Sequence, residues 1–254
     1  MDLSVPSVTL AALLLGTVRA STFILVAPPF NNSGIPAAVK GALAMCFSLV
    51  VLPHLTGQIP AVTAGFLVTT AITEAVIGAG LGFLVQLLFT AVQMAGDLID
   101  VSGGFSLQPA YDPMAQTSNA SIGRLYNLLA LTLLFTSGGE LMLVKGFVTS
   151  YQGLPVGAVF DTAQLGHVVI TALSKMFLAA LQIGGPMIAV LLLADVALGL
   201  LSKAAPALNV FSLGFPLKIM LVLMMVGLTF PLLPPAVDQL VETALHAMTA
   251  LRSG

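Results

Sequence analysis

The chain of 254 residues is 58% hydrophobic and 7% charged, and its mean hydropathy is +1.07. Soluble domains carry about 25% charged residues, so this composition excludes an ordinary soluble domain and indicates an integral membrane protein. The net charge of −2 provides no basic field for nucleic acid. Cys46 is the single cysteine, which excludes an intramolecular disulfide or a cysteine metal site.

Three apolar runs occupy the first part of the chain. Val8–Ala27 precedes a pair of prolines and Ala37–Leu52 precedes Pro53. Because the residue before a proline is pushed out of helical geometry, we expect both helices to end there. The third run extends from Pro60 to about Met94. A membrane-crossing helix needs about 20 residues, so this helix is predicted to tilt, bend or extend beyond the hydrocarbon layer.

The second part of the chain begins with its only long polar segment, residues 96–121, which contains three aspartates and no basic residue. Three apolar runs follow, namely Ile122–Val148, interrupted at Ser137–Glu140, then His167–Leu193, which contains Pro186, and Leu217–Leu233, closed by the sequence PLLPP. The pattern predicts an all-α fold with about six apolar segments, several bent or broken by proline and glycine. We expect one domain over residues 1–254.

Charged residues lie inside or beside these runs rather than in the loops. They are Arg19, Glu74, Lys145, Asp195, Lys203 and Lys218. An ionisable side chain that faces lipid costs at least about 2.5–3.5 kcal/mol, so these residues are expected to face other helices, water or partner subunits. Two interpretations remain open: structural ion pairs within one bundle, or contacts with a polar conduit or with partner helices.

Two glycines on the third predicted helix form a close-packing pattern. Gly78 and Gly82 are four residues apart, which places both on one helix face and lets another backbone approach. We expect this face to pack against another helix of the chain.

The stretch 204–218 contains polar and helix-breaking residues between two apolar runs. Pro206 and Pro216 each remove a helical N–H group, Asn209 can satisfy freed backbone groups, and Gly214 permits a turn or a close approach. We interpret the stretch as the bent tip of a helical hairpin capped by Lys218. A plain loop between helices is the alternative.

Catalytic motifs are largely missing from the sequence. It contains neither H-E-x-x-H nor G-x-S-x-G. Tyr111-Asp112 and Pro206–Leu208 match fragments of intramembrane aspartyl proteases, but the required second aspartate context is missing. We therefore expect no catalytic residues, cofactor or metal. A small secondary transporter, with the stretch 204–218 as its binding site and Asp195 as a proton carrier, is a competing interpretation.

Several ordered blocks resemble a known family over essentially the whole chain. They are Arg19, Ala27-Pro28, Pro36 and Lys40; the sequence AGDLID, Gly104-Phe105-Ser106 and Asp112-Pro113; LLFTSGG, Ser150-Tyr151 and Leu154-Pro155; and Asp195, Gly199, Pro206, Asn209, Phe211, Gly214, Pro216 and Lys218. This order is similar to that of the type III export-gate family that contains FliR and its injectisome counterpart SctT. The chain departs from the family pattern at Glu140, Ala207 and Lys203.

The resemblance implies a channel component that is not an enzyme. It would assemble with FliP-like, FliQ-like and FlhB-like subunits in the bacterial inner membrane at the flagellar basal body. Unfolded flagellar subunits would pass through the gate, part of which would stand above the membrane on the periplasmic side. The injectisome gate is the alternative system.

The polar segment is also a candidate pore plug, because the resemblance places a plugging loop in this region. Gly103 and Gly104 provide hinge freedom, Phe105 and Met114 are apolar stoppers, and Asp112-Pro113 favours a turn. Ser106 belongs to the same candidate loop. We expect this loop to block the closed channel and to move aside during export.

Overall fold

The computed structural model describes residues 7–59, 62–105, 121–158, 162–205 and 210–250; of residues 162–165, 210, 211 and 250 it describes only the backbone. Its helices are α1 (Ser7–Val26), α2 (Ala37–Leu55), α3 (Ala64–Gly103), α4 (Ser121–Thr136), α5 (Gly139–Gly153), α6 (Thr162–Ala204), α7 (Val210–Thr229) and α8 (Leu233–Ala250). No strand occurs among these residues, and the predicted all-α fold is confirmed.

The helices are long and apolar enough for a membrane protein. Five helical stretches within the described residues could cross a bilayer, and the bent pair α4 and α5 could form a sixth. The third predicted run is one continuous helix, α3, of 40 residues. At 1.5 Å per residue it is about 60 Å long, roughly twice the thickness of the hydrocarbon layer. Helix α6, with 43 residues, has a similar excess length.

The third and fifth apolar runs continue as helix beyond their predicted ends, to Gly103 and Ala204. Two ends predicted at prolines also differ from the structure. Helix α2 continues through Pro53 to Leu55, and the Thr56 N–H closes the last turn on the Leu52 carbonyl at 3.2 Å. Pro53 has no N–H to donate to the preceding turn, but the amides that follow it are intact, so the chain can complete one more turn before the helix ends.

The second difference concerns the sequence PLLPP, which does not close the last apolar run. A short 3₁₀ helix, Phe230–Leu232, follows α7, and α8 then continues to Ala250. Pro234 and Pro235 occupy the first turn of α8, where the N–H groups have no helical acceptor and proline is therefore tolerated.

Contacts divide the chain into two compact units, each built from segments that are distant in sequence. Unit 1 comprises Met1–Leu88, Gly138–Leu173 and Val241–Gly254, and unit 2 comprises Phe89–Ser137 and Ser174–Leu240. The single domain over residues 1–254 stays a prediction.

Unit 1 has an aromatic core between α1 and α5. Phe23 stacks on Phe147 with ring centroids 4.8 Å apart, and Phe147 meets Tyr151 edge-on at 5.6 Å. These three rings are almost completely buried. The core therefore joins the first helix of the chain to residues more than 120 positions later.

Unit 2 is built on the C-terminal part of α3. Val92, Ala95 and Ile99 are completely buried there. A Cβ atom added to Gly184 of α6 would lie 3.1 Å from the Ala95 carbonyl oxygen, so α6 passes close to the α3 backbone. Unit 2 contains both the beginning and the end of the long polar segment.

Candidate functional site

Two of the predicted buried-charge or partner-contact candidates, Arg19 and Glu74, pair with each other inside unit 1. Both side chains are 0% exposed. Arg19 Nε donates to Glu74 Oε2 at 2.5 Å, and Arg19 Nη2 donates to Glu74 Oε1 at 3.0 Å. Two parallel bonds between a guanidinium and a carboxylate form the strongest common type of ion pair.

The rest of the Arg19 guanidinium is also occupied. Nη2 donates to the Leu154 carbonyl at 2.9 Å, and Nη1 lies 3.4 Å from Ser150 Oγ. The Tyr151 ring centroid is 4.0 Å from the guanidinium carbon, within range of a cation–π interaction. This pair therefore ties α1, α3 and α5 together within one unit, as a structural ion pair does.

The predicted close-packing glycines lie against α1 beside this ion pair. A Cβ atom added to Gly78 would collide with the Arg19 carbonyl oxygen and with Thr22 Oγ1. A Cβ atom added to Gly82 would lie 2.9 Å from Val26 Cβ. Only glycine at these positions lets the backbones approach this closely, which brings Glu74 within reach of Arg19.

Unit 2 contains a second ion pair, which joins α6 to α7. Lys218 Nζ lies 2.5 Å from Asp195 Oδ1, with the lysine side chain 19% and the aspartate side chain 48% exposed. Exposed Leu192, Leu193 and Val196 surround Asp195 along α6. This pair thus leaves half of a carboxylate accessible within an apolar surface.

The predicted broken stretch is shorter than residues 204–218. Helix α6 ends at Ala204 and α7 begins at Val210. Gly214 lies inside α7, where an added Cβ would be 3.2 Å from Leu198 Cδ1, and Pro216 also lies inside α7. Pro206, Asn209 and the Phe211 side chain lie outside the described residues.

The first residues of the candidate plug loop are described. Gly103 ends α3 and is buried, Gly104 has φ of +84°, and Phe105 is half-buried. A positive φ is strained for most residues and free of cost for glycine, so Gly104 lets the chain leave the helix sharply. Ser106, Asp112, Pro113 and Met114 lie outside the described residues.

The two ends of this loop meet in unit 2 through Asp100, which is 1% exposed. The Ile122 N–H donates to Asp100 Oδ2 at 2.9 Å and the Gly123 N–H donates to it at 3.0 Å. These amides belong to the first turn of α4, where N–H groups lack helical acceptors. Asp100 of α3 therefore caps α4 across the loop.

Comparison with known proteins identifies the family. The sequence model of "Bacterial export proteins, family 1" matches residues 10–244. This chain belongs to that family. The predicted resemblance to FliR of the type III export gate is thereby confirmed.

Curated relatives of this export-family chain come from two kinds of system. The flagellar biosynthetic protein FliR of Escherichia coli strain K12 is 31% identical over 223 residues, 88% of this chain and 85% of the relative. FliR of Bacillus subtilis strain 168 is 30% identical over 217 residues, 82% of each chain. The secretion system apparatus protein SsaT of Salmonella typhimurium is 29% identical over 231 residues, 87% of this chain and 88% of the relative.

Two of the residues that depart from the family pattern, Glu140 and Lys203, lie within described helices. Glu140 lies in the first turn of α5, and its Oε2 atom is buried without a hydrogen bond from a described residue. Lys203 is exposed in the last turn of α6 and forms no ion pair with a described residue. A carboxylate near a helix N-terminus and a cation near a helix C-terminus both interact favourably with the helix dipole.

Sequence reasoning did not single out Asp97, Asp100, Gly96 and Gly123. Three of them lie in the block AGDLID and Gly123 lies at the start of the fourth apolar run. A contact between residues 20 or more positions apart leaves no local pattern in the sequence. The only signal was compositional, since three aspartates occur in this segment without a basic residue. An unpaired aspartate at the end of an apolar helix is a candidate cap for the next helix.

Proposed function

We propose that this chain is a channel-forming subunit of a flagellar type III protein export gate in the bacterial inner membrane. It assembles with FliP-like, FliQ-like and FlhB-like subunits and conducts unfolded flagellar subunits without catalysing a reaction. The observation that carries this proposal is the family match over residues 10–244, together with curated relatives named FliR.

The surface of the chain supports assembly with other helices. Many large apolar side chains of α6 and α7 are exposed, including Leu192, Leu193, Leu200, Met220 and Met224. Exposed apolar side chains in such numbers indicate contact with lipid or with a protein partner. Asp195 lies half-exposed on the same surface, and a charged group that met only lipid there would be costly. Partner helices that carry hydrogen-bond donors would cover these apolar side chains and would also bond to the Asp195 carboxylate.

Co-purification tests the assembly. A tag after Gly254 is used to purify the chain from its native membrane in mild detergent. We expect small apolar membrane proteins of the FliP and FliQ types in a fixed ratio. A lone, monodisperse protein that moves a small solute into liposomes would instead establish the transporter interpretation.

Motility separates the flagellar from the injectisome assignment. Deleting the gene is expected to abolish swimming and flagellar filaments, and the wild-type gene on a plasmid should restore both. Normal swimming together with lost secretion of virulence proteins would assign the chain to an injectisome, for which SsaT is the relevant relative.

The loop after α3 is proposed as the plug of this channel. Its glycine exit from α3 supports this role, because the Gly104 backbone leaves the helix sharply. Deleting residues 106–115 should raise the ion conductance of the assembled gate in planar bilayers. Co-purification of the partner subunits with the deletion variant is the control, because it shows whether the variant still assembles. An unchanged conductance in a fully assembled gate would remove the loop from gating.

A further inference from the structure

Arg124, in the first turn of α4, is an exposed cation on the surface of unit 2. A Cβ atom added to Gly96 of α3 would lie 2.6 Å from Gly123 Cα, so the backbones of α3 and α4 touch at Gly123. Successive residues of an α-helix point about 100° apart. Because Gly123 faces α3, the next side chain along α4 turns away from this contact, which leaves Arg124 on the outer surface.

Arg124 has no counter-ion within the described part of the chain. Asp100 accepts hydrogen bonds from the Ile122 and Gly123 N–H groups, and Asp97 Oδ1 is buried against Gly123. The two ion pairs among the described residues do not include Arg124. A cation in the first turn of a helix also interacts unfavourably with the helix dipole. The contacts within unit 2 therefore do not account for a cation at this position.

An amide pair lies on the same face of α4 as Arg124. Asn127 follows three residues later, which places it beside Arg124, and its Nδ2 atom donates to Gln93 Oε1 of α3 at 3.2 Å. Gln93 is exposed and Asn127 is half-buried. Two amides joined by a single bond keep further N–H and C=O groups for other partners. The patch thus combines a guanidinium group with both a hydrogen-bond donor and an acceptor.

Apolar side chains border this polar patch. Leu125 is 36% and Leu128 is 56% exposed on α4. An arginine bordered by apolar side chains is typical of the centre of a protein interface, where the surrounding residues exclude water. A lipid phosphate group supplies acceptors only, whereas a protein helix can present an acceptor to the guanidinium and a donor to the amide carbonyl. The patch therefore fits a protein helix better than a phospholipid.

From these contacts we propose that Arg124, Gln93 and Asn127 form a docking site for a helix of a partner gate subunit that carries an aspartate or a glutamate. The guanidinium pairs with this carboxylate through two parallel hydrogen bonds, and the amide pair binds an adjacent polar side chain of the same helix. The inference rests on the proposed assembly of the gate and adds the chemistry of one contact to it. Unit 2 presents an accessible carboxylate at Asp195, so the two surfaces require partner side chains of opposite charge.

Recovery of partner subunits tests the docking site. The tagged chain is purified from its native membrane as wild type, R124A, R124K or Lys175→Ala. We expect R124A to lower the ratio of assembled to unassembled chain about tenfold, the factor that corresponds to the loss of one hydrogen bond to a charged group. R124K should lower this ratio less, because lysine keeps the charge but not the planar fork. Lys175, an exposed cation of unit 2 on α6, is the matched control, and K175A should assemble like wild type.

A cross-linking experiment identifies the group that meets the arginine. A carbodiimide joins a lysine amine to a carboxylate that touches it, and it does not join an arginine. In the assembled R124K gate we expect a new amide bond between the introduced amine and an aspartate or glutamate of a FliP-like or FliQ-like subunit. Mass spectrometry of the digested complex locates this bond, and the wild-type gate should lack it.

The outcomes separate the docking site from the assembly on which it rests. Reduced assembly of R124A together with the new bond in R124K supports the site. Assembly of R124A like that of wild type overturns the site and leaves the proposed function standing, as does a bond to Asp97 or another carboxylate of the same chain. An R124K gate without the bond also overturns the site, and if wild-type assembly then depends on added phosphatidylglycerol, the arginine binds a lipid phosphate instead. If the wild type recovers no partner subunit, the proposed assembly is wrong and the site falls with it.

Discussion

Two ion pairs occur among the described residues, and they differ in burial. Arg19 and Glu74 in unit 1 are completely buried and bonded twice, whereas Asp195 and Lys218 in unit 2 share one contact and leave the aspartate half-exposed. The first arrangement satisfies its charges within the chain. The second leaves about half of the Asp195 side chain accessible, so the two pairs differ in how much of each carboxylate another molecule could reach.

The largest expected effect comes from breaking the buried pair. Glu74→Gln leaves the Arg19 charge without its counter-ion inside unit 1, and breaking a buried pair costs about 3–5 kcal/mol of unfolding free energy. We expect little folded protein, measured by SDS-induced unfolding in detergent micelles. Glu242→Gln, on an exposed glutamate of α8, is the matched control. Wild-type stability of E74Q would show that the pair does not hold unit 1 together.

A double variant sharpens this result. Arg19→Met combined with Glu74→Met removes both charges and keeps similar volumes, which often restores stability. We expect the double variant to be more stable than E74Q in the same unfolding experiment. If it is less stable, the Leu154, Ser150 and Tyr151 contacts of Arg19 matter more than its charge balance.

An intermediate effect is expected at the glycine contact that brings the pair together. Gly78→Ala inserts a methyl group against the Arg19 carbonyl oxygen, and such overpacking typically costs about 1–3 kcal/mol. Gly227→Ala is the control, because nothing lies within 4 Å of its added Cβ and alanine favours a helix by up to about 1 kcal/mol. Equal stability of both variants would mean that α1 and α3 can separate without cost.

The smallest effect on the isolated chain is expected at the exposed pair. Asp195→Asn should lower the unfolding free energy by only about 0.2–1 kcal/mol, as is usual for accessible ion pairs. Its effect should appear in assembly, as a reduced yield of co-purified partner subunits. Lys218→Met provides the comparison, since it removes the internal partner but keeps the accessible carboxylate. Full assembly of D195N would show that partners do not use this acceptor.

The sequence was sufficient to identify the charged residues that lie within apolar helices, but not to predict which of them pair with each other. Charges inside apolar runs pointed to Arg19, Glu74, Asp195 and Lys218 because lipid exposure would be costly. The partner of each was not predictable, since Arg19 and Glu74 are 55 positions apart and several opposite charges were available. Pairing is decided by helix packing, which is a property of the folded chain.

Helix existence was also easier to predict than helix ends. Apolar length predicted the membrane-type helices, but Pro53 and the prolines of PLLPP were interpreted as stops. The structure places the prolines of PLLPP in or just before the first turn of α8, where a missing N–H costs little, and Pro53 two residues before the end of α2, where few helical bonds remain to be formed. The cap at Asp100 was missed for a similar reason, because its acceptor groups serve a helix that begins 21 positions later.

The contacts of Arg19 have a consequence for biosynthesis. Its carboxylate partner follows 55 residues later and its Ser150 contact 131 residues later. At the usual synthesis rate of about 5–20 residues per second, Glu74 is synthesised roughly 3–11 s after Arg19. During that interval the first apolar helix carries an unpaired cation. Until Glu74 is available, the arginine adds about 2.5–3.5 kcal/mol to the free energy of placing this helix in lipid, and the later segments remove that cost when the pair forms.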